Sequence, residues 1–219
     1  MTRSTRSAKK AAVRQALIAA ANRRFHSHGF AQTTIDEICA DAGVSRRTFF
    51  RYFENKEALA FPHRTERLER FLALLDGADH SPNPVDGLRA ICETFADEYS
   101  ANRAQILAQQ RLVDSEPALA AREHEIDRDW ETAMAATFRR RFGPGAASER
   151  RARLMAGAAI GVIRATMRYW YEKDGQPDLA KLGQEALDGL ERGFFDLTVA
   201  RSDHSGCAQI FTARGWTVA

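Results

Sequence analysis

The sequence predicts an all-α protein, and three observations carry that reading. Apolar residues recur at helical spacing through most of the chain, which places them on one face of each helix. The strict alternation of a half-buried strand occurs nowhere. Prolines and glycines punctuate the periodic segments: Pro84 and Pro117 stand near helix starts, and Gly43, Gly143 and Gly175 near helix ends. The expected architecture is an N-terminal three-helix unit followed by a larger helical body, about nine helices in all.

Residues 1–10 are polar and basic and read as a flexible arm. Their pattern serves equally as a contact across phosphates or into a minor groove and as a solubilising tail. The first helix should run from about Lys9 to His28, burying Val13, Leu17, Ala21 and Phe25.

The stretch from Thr34 to Phe53 is the most informative in the chain, and it reads as two short helices around a tight turn. Thr34 and Glu37 form a T-x-x-E capping box, in which each side chain satisfies an orphan backbone N–H. Ile35, Ile38, Cys39 and Ala42 follow as one buried stripe. Gly43 supplies the positive φ that ends the helix, Val44 plugs the corner, and Ser45 caps the next helix. There Phe49 and Phe53 should face inward, with Arg46, Arg47, Phe50 and Arg51 outward. About seven residues make a rod of roughly 10 Å, short enough to enter a major groove end-on. Arginine reads guanine bidentately and also grips phosphate, so an arginine face of this kind suits DNA.

Charge follows the same division. Residues 1–60 hold eleven Lys and Arg against five acids, a net of +6, so the remainder carries −3 of the overall +3. A basic head on a mildly acidic body favours counterion release from DNA.

On these residues the chain resembles the TetR family of bacterial transcriptional regulators. The resemblance covers residues 12 to 61 and rests on Phe25, Gly29-Phe30, Thr33-Thr34-Ile35, Ile38, Ala42-Gly43-Val44-Ser45, Thr48-Phe49-Phe50, Phe53 and Asn55-Lys56-Glu57-Ala58-Leu59. It implies a homodimer with one three-helix DNA-binding domain per subunit, a divergent helical ligand-binding domain, and release of a palindromic DNA operator by a small-molecule effector. By position, the resemblance assigns Thr33, Thr34 and Ser45 to the DNA-binding set, with Thr34 on phosphate at its helix start. Arg46, Arg47 and Thr48 fall on base-reading positions, Phe50, Arg51 and Tyr52 on backbone-contacting positions, and Lys56 on the phosphate-binding lysine. Family members usually carry Tyr at the position of Phe50, so a hydroxyl-to-phosphate bond is unavailable there. The division that follows is an arm over 1–10, a helix-turn-helix domain over 11–58, a ligand-binding and dimerisation domain over 59–200, and a tail over 201–219 with no assigned role.

After Lys56 a helix should continue to about Asp76, carrying Leu59, Leu68, Phe71, Leu72 and Leu75. A break between Asp76 and Pro84 precedes five helices at about 84–101, 103–113, 116–141, 148–173 and 178–200. Gly157, Gly161 and Ala165 form a small-residue stripe, and Leu179, Leu182, Ala186, Leu190, Gly193 and Leu197 a near-heptad seam. In the family these last two helices pair with their copies; the same residues could instead complete the subunit's own core.

The effector cavity is expected among Phe95, Tyr99, Leu112, Trp130, Met134, Phe138, Met155, Met167 and Trp170, a set that also fits plain core. Arg111, Arg164 and Arg168 interrupt apolar stretches and want anions, either on a ligand or from Glu93, Asp97 or Glu98. The runs Gln110-Arg-Leu-Val-Asp-Ser-Glu-Pro-Ala-Leu119 and Arg153-Leu-Met-Ala-Gly-Ala-Ala159 are similar to the C-terminal domain of the mycofactocin-regulator branch, as is Ser45-to-Phe53 in the head. That similarity implies an acyl or acyl-coenzyme A effector.

Other classes find little support. There is no Walker loop, H-E-x-x-H or G-x-S-x-G, so no enzyme is proposed by the motifs. Cys39, Cys92 and Cys207 are scattered without a C-x-x-C pair, which reads as reduced thiols and no metal site. No apolar run reaches the roughly 20 residues of a membrane span, and no signal-peptide core is seen, so a cytoplasmic protein without cofactor is expected. An activator, or a DNA-binding protein without small-molecule sensing, would share the same head.

Overall fold

With no glycine or proline before Gly29, the Ala-, Lys- and Arg-rich N-terminus sustains one long helix, α1 (Thr2–His28). This corrects the sequence expectation: residues 2–10 continue the helix instead of forming a separate arm. The computed structural model describes residues 2–77 and 83–192, and every regular element within them is helical. The chain passes through α2 (Ile35–Ala42), α3 (Arg46–Phe49), a single 3₁₀ turn at Glu57–Leu59, α4 (Arg64–Gly77), α5 (Pro84–Ala101), α6 (Arg103–Ser115), α7 (Pro117–Phe142), α8 (Ala146–Glu172) and α9 (Leu179–Arg192).

The α2 boundaries follow the sequence logic. The Thr34 hydroxyl accepts from the Glu37 N–H at 3.3 Å, and the Thr34 N–H donates to the Glu37 carboxylate at 2.8 Å. Gly43 closes the helix in the left-handed region at φ 67°. Helix α3 is shorter than expected: only Arg46–Phe49 is α-helical, and tighter bonds from Arg51 N–H to Thr48 O and from Tyr52 N–H to Phe49 O carry the turn onward. Nor does one helix run from Lys56 to Asp76. Pro62 lacks an N–H and disfavours helical backbone at Phe61, so α4 starts afresh at Arg64.

Three apolar clusters hold the elements together. In the first, Leu17 and Phe25 of α1 pack with Ile38, Phe49, Phe53 and Leu59, and Val113 and Leu119 reach in from α6 and α7. The second joins α4, α5, α7, α8 and α9 around Phe71, Leu88, Met134, Phe138 and Leu187. The third surrounds Trp170, whose ring is fully buried and whose indole N–H donates to Pro177 O at 3.0 Å. Gly175 permits this corner: its φ is 64°, and a Cβ there would stand 2.9 Å from Trp170 and 2.8 Å from Arg103. Of the proposed seam on the last helix, Leu179 is buried within the subunit, Leu182 packs on the third cluster and Leu190 on the second, and Gly193 and Leu197 lie outside the described residues, as does the tail over 201–219.

Polar contacts fasten the first cluster to the body. Arg14 of α1 donates to Pro62 O and pairs with Glu66 of α4 at 2.9 Å. Gln109 of α6 donates to Ala60 O at 2.6 Å, and Arg122 of α7 pairs with Glu54 at 2.7 Å.

Candidate functional site

Two sites emerge, a basic surface on the first cluster and a cavity in the body. On the surface, Phe49 and Phe53 turn inward, and Arg46, Arg47, Phe50 and Arg51 are exposed. The Ser45 hydroxyl accepts the Thr48 N–H at 3.2 Å, which starts α3 and aims the next side chains outward. Arg46 pairs with Asp36 at 3.0 Å and lies 6.0 Å from the Phe50 ring centroid. Arg51 stacks over Tyr52 at 5.2 Å. Behind this face Arg24 bonds both Asp41, at 2.7 Å, and Glu37, at 3.2 Å, joining α1 to α2. The Arg24 hydrogen bond holds the Asp41 carboxyl below its ordinary value, and the Thr34 N–H does the same for Glu37.

Two residues of the expected DNA-binding set are engaged inside the fold. Thr33 is buried, and its hydroxyl donates to Gly29 O at 2.8 Å. The Lys56 ammonium donates to Phe30 O at 2.7 Å and Thr33 O at 2.9 Å while sitting over the Phe30 ring. It caps carbonyls of the loop before α2, so it braces the surface instead of standing free on it. Thr34 remains exposed at the start of α2, with its hydroxyl already bonded to Glu37.

The cavity measures about 400 Å³ and opens between the start of α4 and helices α6, α7 and α8. Of the residues expected to line it, Tyr99, Arg111, Trp130, Arg164, Met167 and Arg168 do so. Phe95, Leu112, Met134, Phe138, Met155 and Trp170 do not. Met134 and Phe138 are fully packed in the second cluster, Phe95 and Met155 pack against it, Leu112 packs on the first, and Trp170 belongs to the third. The arginines also differ from expectation. Arg111 and Arg164 are more than half exposed, and they pair with Asp174 at 2.9 Å and Asp127 at 3.7 Å. Glu98 serves Arg70 and Glu93 serves Gln184.

Sequence reasoning missed Arg67, Gln110, Glu123, Asp127 and Tyr171, all of which line the cavity. A signal was present. Arg67, Phe71 and Leu75 fall at i, i+4 and i+8, so a charge occupies the buried stripe of α4. Glu123 and Asp127 share a stripe of α7 with Trp130 and Met134 in the same way. Burial raises the Glu123 and Asp127 carboxyls and the Tyr99 and Tyr171 hydroxyls above their ordinary values, and it lowers His63.

The comparisons with known proteins decide the family. Residues 17–61 match the bacterial regulatory proteins of the tetR family, and residues 83–195, over half the chain, match the MftR C-terminal domain. This chain belongs to the TetR family. It is 30% identical to the transcriptional regulator TcmR of Streptomyces glaucescens over 191 residues, 83% of this chain and 84% of that protein. With the mycofactocin biosynthesis transcriptional regulator MftR of Mycobacterium tuberculosis it shares 27% identity over 172 residues, 77% and 86% of the two chains. Among solved structures, SmeT in complex with triclosan superposes with a TM-score of 0.53 at 25% identity, covering 81% of this chain and 88% of that one. FadR of Bacillus subtilis bound to stearoyl-CoA gives 0.54 at 19% identity over 80% and 96%, a likeness of fold.

The chain is therefore a TetR-type DNA-binding transcriptional regulator, and its relatives are regulators, not enzymes. Within this TetR-family chain the first match covers most of the first cluster, and the second covers α5 to α9. Arg67 lies between the two matched segments. No helix among the described residues is long and apolar enough to cross a membrane.

Proposed function

We propose that this regulator is a cytoplasmic, homodimeric repressor released from a palindromic operator when a small molecule enters the cavity. One observation carries the reading: the first turn of α4 serves both sites. His63, Arg64 and Arg67 line the cavity, while Pro62 O and Glu66 hold Arg14 of α1. A ligand that repositions this turn therefore moves the anchor of the first cluster. The proposed division of labour gives residues 11–58 to DNA and the body to sensing and dimerisation. Arg46, Arg47 and Thr48 read bases, and Thr34, Phe50, Arg51 and Tyr52 follow the backbone.

The dimer reading is supported by one face of α8. Leu154, Gly161, Ala165 and Tyr169 recur at i, i+7, i+11 and i+15; Leu154 and Tyr169 are exposed large apolar side chains, and a Cβ on Gly161 would meet open space. A two-fold dimer doubles the contact of a recognition helix only one turn long. Sedimentation of the free and operator-bound protein tests this: two chains per operator are expected, and a monomer on DNA overturns it.

The mycofactocin-regulator resemblance proposes an acyl or acyl-coenzyme A effector. A cavity of about 400 Å³ is small among ligand pockets and takes an acyl body with the coenzyme outside. Isothermal titration with long-chain acyl-coenzyme A checks this; no heat and no loss of DNA binding remove that class.

A further inference from the structure

Two residues that line the cavity each carry a buried hydrogen-bond donor with nothing to donate to. The Arg67 Nε and the Trp130 Nε1 are both buried from solvent, and neither has a partner among the described residues. Arg67 is a permanent cation. Its Nη1 reaches the Tyr99 hydroxyl at 3.4 Å, and its guanidinium lies 5.3 Å from that ring's centroid, but no carboxylate stands within ion-pair distance of it among the described residues.

Several other charges around the cavity are already paired, and Arg168 stands on the same wall as a further cation. Arg64 pairs with Asp129, Arg111 with Asp174, and Arg164 with Asp127; Asp114 accepts from Gln110 at 3.0 Å. Trp130 leans its ring on Phe71 at 5.2 Å, so its indole cannot swing away to water without losing that packing. Two buried donors on residues of one cavity wall, one of them cationic, leave a need for an anionic acceptor. The rest of the lining includes the rings of Phe61 and Tyr171 and the aliphatic Ile126, Ile163 and Met167.

We infer that the effector is a compact apolar carboxylate with a ring-bearing body, its head group held between Arg67 Nε and Trp130 Nε1. This deepens the sensing role proposed above and rests on it, and within the acyl class it selects a free acid over the coenzyme A thioester. A carboxylate supplies acceptors for both donors and balances the Arg67 charge, whereas a thioester or amide carbonyl leaves that charge uncompensated. The ligand head would sit on α4 itself, one turn from Glu66 and its bond to Arg14.

The test is isothermal titration of the full-length protein with three probes of one shape: a biphenyl carboxylate, its carboxamide and the matching ammonium. Release of bound DNA is followed in parallel. The carboxylate should bind at least about tenfold tighter than the amide, the fold-change of a buried charge-assisted bond. Arg67→Gln should abolish that preference. Trp130→Phe keeps the ring packing and should weaken the carboxylate alone. Equal binding by all three head groups, a preference for the ammonium, or a preference surviving in both variants overturns the carboxylate assignment and leaves the sensing role standing. No binding by any probe overturns both.

Discussion

The Arg14 guanidinium of α1 lies 2.9 Å from the Glu66 carboxylate of α4 and also donates to Pro62 O. One side chain thus joins the helix behind the DNA-reading face to the turn that walls the cavity. The pair is partly exposed, so the stability it supplies is modest, about 1 kcal/mol. Its role in coupling should be larger. Arg14→Ala is expected to leave effector affinity within about threefold of wild type while blunting effector-driven release of DNA, because coupling energies typically span 1–3 kcal/mol. Anisotropy of a labelled operator titrated with effector reads both. Full release in the variant would place the coupling elsewhere, with Gln109 and Arg122 as the next contacts to remove.

Arg46 and Arg47 should discriminate bases. Alanine at either position is expected to cost about 1–3 kcal/mol on the operator and to relax preference at one base position per half-site. Asp36→Asn frees Arg46 from an exposed pair, so thermal stability should change by less than about 0.5 kcal/mol. Binding of operator variants, compared with random duplex at fixed salt, decides this. Uniform losses on every sequence would assign these arginines to phosphate.

Lys56 tests the difference between touching DNA and bracing the surface that touches it. Its ammonium holds Phe30 O and Thr33 O, so Lys56→Ala should lower folding stability by about 1–3 kcal/mol and weaken all DNA sequences alike. Denaturant melts alongside salt-dependent binding separate the two. Unchanged stability with a reduced salt slope would restore a direct phosphate contact.

Glu123 gives a pH signature. Burial raises its folded-state carboxyl above the ordinary value, so the folded protein binds that proton more tightly than the unfolded chain. Its contribution favours folding below the ordinary glutamate range and is lost as pH rises through the raised value. Glu123→Gln should therefore raise the melting temperature at about pH 7.5, with the gain shrinking toward about pH 4. Melts of both proteins across that range check it. A less stable variant at neutral pH would mean that the carboxylate is favourably paired in the fold.

The local signals in the first cluster could be read from sequence because they act over three or four residues. The Thr34–Glu37 capping box, the positive φ at Gly43 and the inward Phe49 and Phe53 each follow from neighbours along the chain. Where helices must meet, the sequence said less. Met134 and Trp170 carry the same chemistry as Trp130 and Met167, yet the first two fill cores and the second two face a cavity. Only the tertiary packing of the helices decides between them. Lys56 is similar: its reach to carbonyls some 23 and 26 residues earlier depends on tertiary closure. Arg67, a charge on an apolar stripe beside Phe71, and Glu123 and Asp127 on the stripe of Trp130 and Met134 are clues the sequence does carry.

The most direct measurement selects bound sequences from a random duplex library with purified full-length protein at physiological salt. A palindromic consensus with half-sites about one helical turn apart is expected. Its sharpness should fall in Arg47→Ala. Salt-sensitive binding with no consensus would contradict the account, leaving a DNA-binding protein without a defined operator.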